Sequence, residues 1–162
     1  MRILCCLDGT NNEQIRDAVK NMLRAEERTL AVLYVTDIGP EMQIEHQRIR
    51  FLRPPRPPQP RREQMRKAVE MTAHEILEEG SRSLDGAEKI ERTGRPEREI
   101  VRVAQEWQAD IVVLCSRGSL ETASPPGPKS VGHVARFVLD HAPCPVLLLR
   151  PRSDAVSQLP PR

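Results

Sequence analysis

The chain has 162 residues, enough for a single domain with a substantial buried core. Its 25 basic and 23 acidic residues nearly balance, and the formal net charge of +2 gives no sign of a nucleic-acid or membrane partner. One tryptophan, one tyrosine and two phenylalanines are too few for a platform that stacks single-stranded bases.

The apolar runs and the cysteines also limit the class of protein. The longest runs have about six residues, whereas a membrane-spanning helix needs about 20. The first run, residues 2–7, reaches Asp8 too early for a signal peptide. The cysteines lack the CxxC spacing of a metal or redox site, which predicts reduced, packed thiols in a cytoplasmic protein. They are Cys5, Cys6, Cys115 and Cys144.

The first half of the chain predicts two buried strands and two helices. Residues 2–7 form a strand that ends at a turn and capping cluster, Asp8 to Asn12. An amphipathic helix follows over about 12–25, and residues 30–35 form the second buried strand. Apolar residues at helical spacing from 65 to 77 predict a second helix that ends at Gly80.

The second half repeats this alternation. Residues 86–92 alternate in polarity and predict a weak strand, after which Pro96 is suited to the first turn of a third helix. Residues 111–115 form the most apolar strand. A fourth helical stripe runs over 131–139, and residues 146–149 form the last strand.

Five strands that alternate with four helices need crossover connections, so the predicted fold is α/β, with a parallel sheet covered by helices on both faces. Two segments lie outside this scheme. The Pro/Arg-rich segment 53–62 predicts a mobile, solvated loop, because its prolines oppose helix and sheet. A ligand for a proline-recognising module and a basic arm near a phosphate are the alternatives. The polar tail 152–162 predicts disorder.

Four segments resemble the universal stress protein family, in the family's order and spacing. They are Ile3 to Thr10, which ends in Asp-Gly-Thr; Gly94 to Pro96; Ala109 to Gly118, which ends in Ser-Arg-Gly; and His141 to Arg150. The resemblance covers residues 2 to 151, is weakest at 36–64, and implies one domain over 1–151. It implies a Rossmann-like sheet in the order 3-2-1-4-5, like that of adenine nucleotide alpha hydrolase-like proteins.

The implied strand order makes the last strand an edge of the sheet, although all of its side chains are apolar. These residues are Val146, Leu147, Leu148 and Leu149. An exposed apolar edge invites pairing. Since the last strand pairs with its counterpart in a second subunit in the family, we expect a homodimer through residues 145–150. The chain's own tail is the alternative cover, but it is too polar for that task.

The resemblance also implies a ligand site. Strands 1 and 4 have connections that leave in opposite directions, so the crevice is expected at their C-terminal ends. Asp8 would accept a hydrogen bond from ribose, although a turn or cap role explains this residue equally well. Phosphates would sit at the start of the fourth helix. The nucleotide-binding candidates are Leu7, Asp8, Val35, Arg117, Gly118, Lys129, Ser130, Gly132, His133 and Val134.

The phosphate segment departs from the family pattern. Gly118 matches its first glycine, but Glu121 stands at the second and His133 replaces the usual Ser or Thr. The segment is also one residue longer than the pattern. Lys129 and Ser130 are placed to pair with a phosphate and to supply the missing hydroxyl. Alternatively, they are a surface charge and an N-cap.

We therefore expect a dimeric regulatory protein that binds ATP or AMP and acts on a protein partner, with Mg²⁺ accompanying the nucleotide as its only metal. The alternative is a nucleotide-free dimeric interaction module of the same family. ATP-activating enzymes of related fold carry a Ser-Gly-Gly-type loop after the first strand, where this chain has Asp8-Gly9-Thr10. We expect no enzymatic activity beyond slow ATP hydrolysis.

Overall fold

The computed structural model describes residues 1–23, 27–37, 59–116 and 131–150, with side chains described from residue 67 onward in the third range. Five strands and four helices alternate along these ranges. The elements are β1 (Arg2–Leu7), α1 (Asn12–Asn21), β2 (Thr29–Asp37), α2 (Gln59–Ser83), β3 (Glu88–Gly94), α3 (Pro96–Glu106), β4 (Ile111–Cys115), α4 (His133–His141) and β5 (Val146–Leu149). Within the same ranges, every helix is too short or too polar to cross a membrane.

All five strands pair in parallel in the order β3-β2-β1-β4-β5, so the predicted α/β fold and strand order are confirmed. The central strand β1 is paired along its whole length with β2, from Arg2 opposite Thr29 to Leu7 opposite Tyr34. Its other side pairs with β4, where Ile3 stands opposite Ile111. β1 and β4 are therefore neighbours, as the predicted crevice requires.

Side chains of β1 alternate between two apolar cores, one on each face of the sheet. Leu4 and Cys6 pack into the core under α3 and α4, which contribute residues such as Val103 and Val138. Ile3, Cys5 and Leu7 pack into the opposite core with α1 and α2. The continuous apolar sequence of β1 follows from this burial on both faces.

Two helix boundaries differ from the predicted ones. α1 ends at Asn21 with Met22 as its C-cap, rather than near residue 25. α2 runs from Gln59 to Ser83, so it passes through Gly80 instead of ending there, and it takes in 59–62 of the predicted loop. Pro60 is tolerated because it lies in the first turn, where its missing N–H has no helical partner. Residues 53–58 and the tail 152–162 lie outside the described residues.

The two edges of the sheet differ in polarity. In β3, Ile90 is buried among exposed or half-exposed polar neighbours, as the alternating sequence predicts. The buried Trp107, at the end of α3, donates from Nε1 to Glu88 Oε2 on β3 at 2.9 Å. In β5, all four apolar residues are half-buried within this chain.

Candidate functional site

A cavity of about 400 Å³ opens at the C-terminal ends of β1, β2 and β4, where the first turns of α3 and α4 face each other. Its volume is in the range of small-molecule sites. The lining combines apolar strand residues with a few polar groups at the rim. The lining residues are Cys6, Leu7, Asp8, Asn11, Leu33, Tyr34, Val35, Asp37, Pro96, Glu97, Ile100, Leu114, Cys115, Val131, Gly132, His133, Val134 and Ala135.

Six of the ten residues predicted from the sequence lie in the wall of this cavity. Three follow or end strands, and three belong to the start of α4. These are Leu7, Asp8 and Val35, and Gly132, His133 and Val134. The other four, Arg117, Gly118, Lys129 and Ser130, lie outside the described residues, as does Glu121.

Asp8 stands in a turn that Asn11 holds in place. Asp8 Oδ1 accepts from the amide of Thr10 at 2.8 Å and from its hydroxyl at 3.0 Å. Asn11 is buried, donates from Nδ2 to the Cys6 carbonyl at 3.0 Å and accepts from the Asp8 amide at 3.1 Å. Asp8 is thus a turn residue, and because a carboxylate has about four acceptor positions, it retains capacity for a ligand hydroxyl.

The N-terminus of α4 forms the opposite wall of the cavity. Gly132 is its N-cap at φ 93°, a backbone conformation that glycine adopts without strain, and the backbone amide of Arg136 donates to the Gly132 carbonyl at 3.0 Å. The N-cap therefore lies two residues after position 130, the alternative cap in the prediction, which is outside the described residues. The amide groups and dipole of a helix N-terminus favour an anion at this wall.

A buried carboxylate, Glu97, lies where the starts of α3 and α4 approach each other. Glu97 is only 8% exposed, and its Oε1 is 3.5 Å from Nε2 of the largely exposed His133. An acid in the first turn of a helix is stabilised by the helix dipole, and α3 places two there, Glu97 and Glu99. Glu99 pairs instead with Arg102 at 3.2 Å and does not line the cavity.

Two thiols line the cavity but are poor nucleophiles near neutral pH. Burial raises the pKa of Cys115 to about 11, and its Sγ donates to Gln14 Oε1 at 3.3 Å. Burial, with smaller contributions from neighbouring thiols, raises the pKa of Cys6 even further. All four cysteines are free, and no cluster able to hold a metal ion occurs among the described residues.

Sequence reasoning missed the contribution of α3 to the site. The predicted residues came from the ends of β1 and β2 and from the segment that leads into α4, whereas the cavity also reaches Pro96, Glu97 and Ile100 of α3. The available signal was topological, because a helix that follows an edge strand of a parallel sheet starts at the same end as the crevice. An acid directly after Pro96 was therefore a candidate.

Comparison with known proteins agrees with this architecture. The sequence model described as the universal stress protein family matches residues 1–150. A universal stress protein of Methanothermobacter thermautotrophicus is 27% identical over 156 residues, covering 92% of this chain and 94% of the relative.

Three solved structures show the same fold. Hypothetical protein MJ0577 is similar at a TM-score of 0.65 and 19% identity, covering 94% of this chain and 97% of its own. An AMP-bound universal stress protein family protein from Arabidopsis thaliana has a TM-score of 0.59 and 15% identity, with 95% and 94% covered. A universal stress protein in complex with cAMP has a TM-score of 0.53 and 17% identity, with 93% and 96% covered. With the family model matching nearly the whole chain, this protein belongs to the universal stress protein family.

Proposed function

We propose that this protein is a dimeric regulatory protein that binds an adenine nucleotide, ATP or AMP, in the cavity at the ends of β1, β2 and β4. The observation that carries the proposal is the meeting of Asp8 and the N-terminus of α4 across one cavity of about 400 Å³. Asp8 follows the central strand β1 and suits the sugar, whereas the start of α4, which follows the neighbouring strand β4, suits the phosphate.

Each part of the ligand has a complementary wall. Leu33, Ile100 and Leu114 supply apolar surface for a base. Asp8 supplies an acceptor for a ribose hydroxyl, and the start of α4 supplies amide groups for phosphate. The similar structures that hold AMP and cAMP support an adenine nucleotide as the first ligand to test.

The proposed role is binding, with no chemical step. The two thiols of the cavity are held protonated near neutral pH by burial, so they are unsuited to nucleophilic attack. Nucleotide binding would change the surface around the cavity mouth and so the affinity for a protein partner. Pairing of β5 with its copy in a second subunit would complete the assembly.

The test is equilibrium binding of labelled ATP and AMP to the purified chain. We expect micromolar dissociation constants, a loss of at least tenfold for Asp8→Ala, and unchanged binding for Asp17→Ala. Asp17 is the matched control because it is an exposed acid on α1 that pairs with Arg16 and does not line the cavity. Equal binding by Asp8→Ala and the unsubstituted protein would contradict the ribose role.

The second candidate is a nucleotide-free interaction module. It is favoured by three carboxylates in the cavity wall, Asp8, Asp37 and Glu97, which oppose the approach of a polyphosphate. His133, in place of a small hydroxyl residue at the start of α4, points the same way. No detectable binding of ATP or AMP at millimolar concentration would favour this candidate over the first.

A further inference from the structure

Two helix N-termini face the cavity, and they differ in what they offer an anion. A helix start attracts anions through its free amide groups and its dipole. α4 has no acid in its first turn and begins at the N-cap Gly132 in the cavity wall. α3 begins with Pro96, which has no N–H to offer, and carries two acids in its first turn, Glu97 and Glu99. Of these two helix starts, that of α4 is therefore the one open to a phosphate.

Glu97 brings a carboxylate to this same wall of the cavity. Its side chain is 11% exposed, and its Oε1 lies 3.5 Å from Nε2 of His133, the first residue of α4. Both residues line the cavity. A phosphate at the start of α4 would therefore meet one attractive group, the helix end, and one repulsive group, the carboxylate of Glu97.

The other charged groups of the described lining do not offset Glu97. Two of them are acids, Asp8 and Asp37, and the one basic side chain is His133, which Glu97 already engages. A histidine is also only partly protonated near neutral pH. Asp8 and Asp37 are exposed and screened by water and salt, whereas Glu97 is buried, so its charge acts most strongly on a ligand.

This balance of charges depends on how many phosphates the ligand carries. The first phosphate gains the amide groups and the dipole of α4, which offset the repulsion from Glu97. The effect of a helix dipole falls off within one turn, so a second and a third phosphate gain little from it. They add negative charge beside a buried carboxylate, and like charges brought together at an interface are strongly unfavourable. The described walls therefore favour a ligand with one phosphate.

We propose that Glu97 limits the phosphate charge that the cavity accepts, so that the preferred ligand is an adenine nucleotide with a single phosphate, such as AMP, rather than ATP. This rests on the proposed function, since it requires a nucleotide in the cavity with its phosphate at the start of α4. It goes further by choosing between the two nucleotides and by assigning that choice to one carboxylate of α3.

The experiment compares adenosine, AMP and ATP, which share base and sugar and differ in the number of phosphates. Calorimetry in Mg²⁺-free buffer, which leaves the phosphate charge unmasked, gives dissociation constants for the unsubstituted chain, Glu97→Gln and Glu106→Gln. We expect the unsubstituted protein to bind AMP about tenfold tighter than ATP. Glu97→Gln should bind ATP about tenfold tighter than the unsubstituted protein does, and AMP tighter by a smaller factor. Its affinity for uncharged adenosine should change by less than about twofold.

Glu106→Gln is the matched control, because it removes the same charge from the same helix at an exposed position outside the cavity. It should keep the three affinities of the unsubstituted protein. Salt gives a second readout on the unsubstituted chain: a higher salt concentration should narrow the preference for AMP, whereas a limit set by space alone would not respond. If Glu97→Gln fails to fold, Glu97→Ala and the salt dependence provide the test.

Three results would overturn the role of Glu97 while leaving the proposed function in place. They are ATP binding as tightly as AMP to the unsubstituted protein, an unchanged preference for AMP in Glu97→Gln, and an equal change for all three ligands in that variant. The last result is what a merely structural role of Glu97 would produce. Absence of AMP binding to the unsubstituted protein would instead overturn the proposed function, and with it this assignment.

Discussion

Asn11 links the end of β1 to the turn that presents Asp8. Its amide side chain joins the Cys6 carbonyl to the Asp8 amide, and the residue is 4% exposed. A buried asparagine with both ends bonded cannot be replaced by an apolar residue without stranding a backbone group. The shape of this edge of the cavity therefore depends on Asn11, which itself lines the cavity.

Asn11→Ala should lower the free energy of unfolding by about 1–3 kcal/mol, because the buried Cys6 carbonyl and the Asp8 amide lose their partner. Urea denaturation measures the change. Asn21→Ala is the control, since Asn21 is exposed at the end of α1 and should shift stability by less than about 0.5 kcal/mol. A loss at Asn11 no greater than that of the control would contradict this role.

At the scale of elements, α2 packs closely on β1 at a glycine inside the helix, Gly80. A Cβ at Gly80 would come within 2.4 Å of Leu7 Cδ1 and within 3.5 Å of Val32 Cγ1. Leu7 is buried at the end of β1, where it also lines the cavity. The glycine thus serves close packing of α2 on β1 instead of terminating the helix.

Gly80→Ala should destabilise the protein by about 1–3 kcal/mol, although the same change stabilises an isolated helix by about 1 kcal/mol. The reason is the overlap with Leu7. The measurement is chemical denaturation of the two single variants and of the double variant, which together form a double-mutant cycle. In a Leu7→Ala background the overlap disappears, so Gly80→Ala should become neutral or stabilising there. Additive effects of the two substitutions would argue against the close contact, and Glu79→Ala, an exposed site on α2, serves as the control.

At the scale of the whole molecule, the two edges of the sheet differ. One edge is the polar strand β3 and the other is the apolar strand β5. The Val112 amide donates to the Pro145 carbonyl and the Ser116 amide to the Leu149 carbonyl, at 3.0 and 2.8 Å. Since backbone groups alternate along a strand, Val146 and Leu148 direct theirs to the open edge. We propose that a second subunit pairs with this outer row of backbone groups.

We expect the chain to sediment at twice its mass of 18.4 kDa and Val146→Pro to shift the equilibrium to monomer. Proline removes an outward N–H at the first residue of an edge strand, where it is tolerated within the fold. Val146→Thr keeps that N–H and should stay dimeric, and circular dichroism checks that both variants are folded. A Val146→Pro variant that remains dimeric would exclude pairing through this edge.

The sequence predicted the sheet well because its apolar runs and motifs carry the signal in consecutive residues. It also placed Asp8 and Gly132 at the C-terminal ends of the strands, where both line the cavity, because each lies in a short recognisable motif. It missed Glu97, because an acid after Pro96 looks like an ordinary first-turn residue until tertiary packing buries it. It misread Gly80 as a terminator, because local propensity contains no information on how closely a helix approaches a strand.

The environment of Trp107 has a practical consequence for spectroscopy. This indole is the chain's only one, lies under the Arg2 guanidinium at 4.3 Å, and is separated from the start of α3 by roughly 16 Å of helix. Its emission should report the loss of the interface between α3 and β3. It should be insensitive to a ligand bound in the cavity, which lies at the start of α3. Fluorescence-monitored melts can therefore be read as global stability once the light absorbed by free ligand is corrected for.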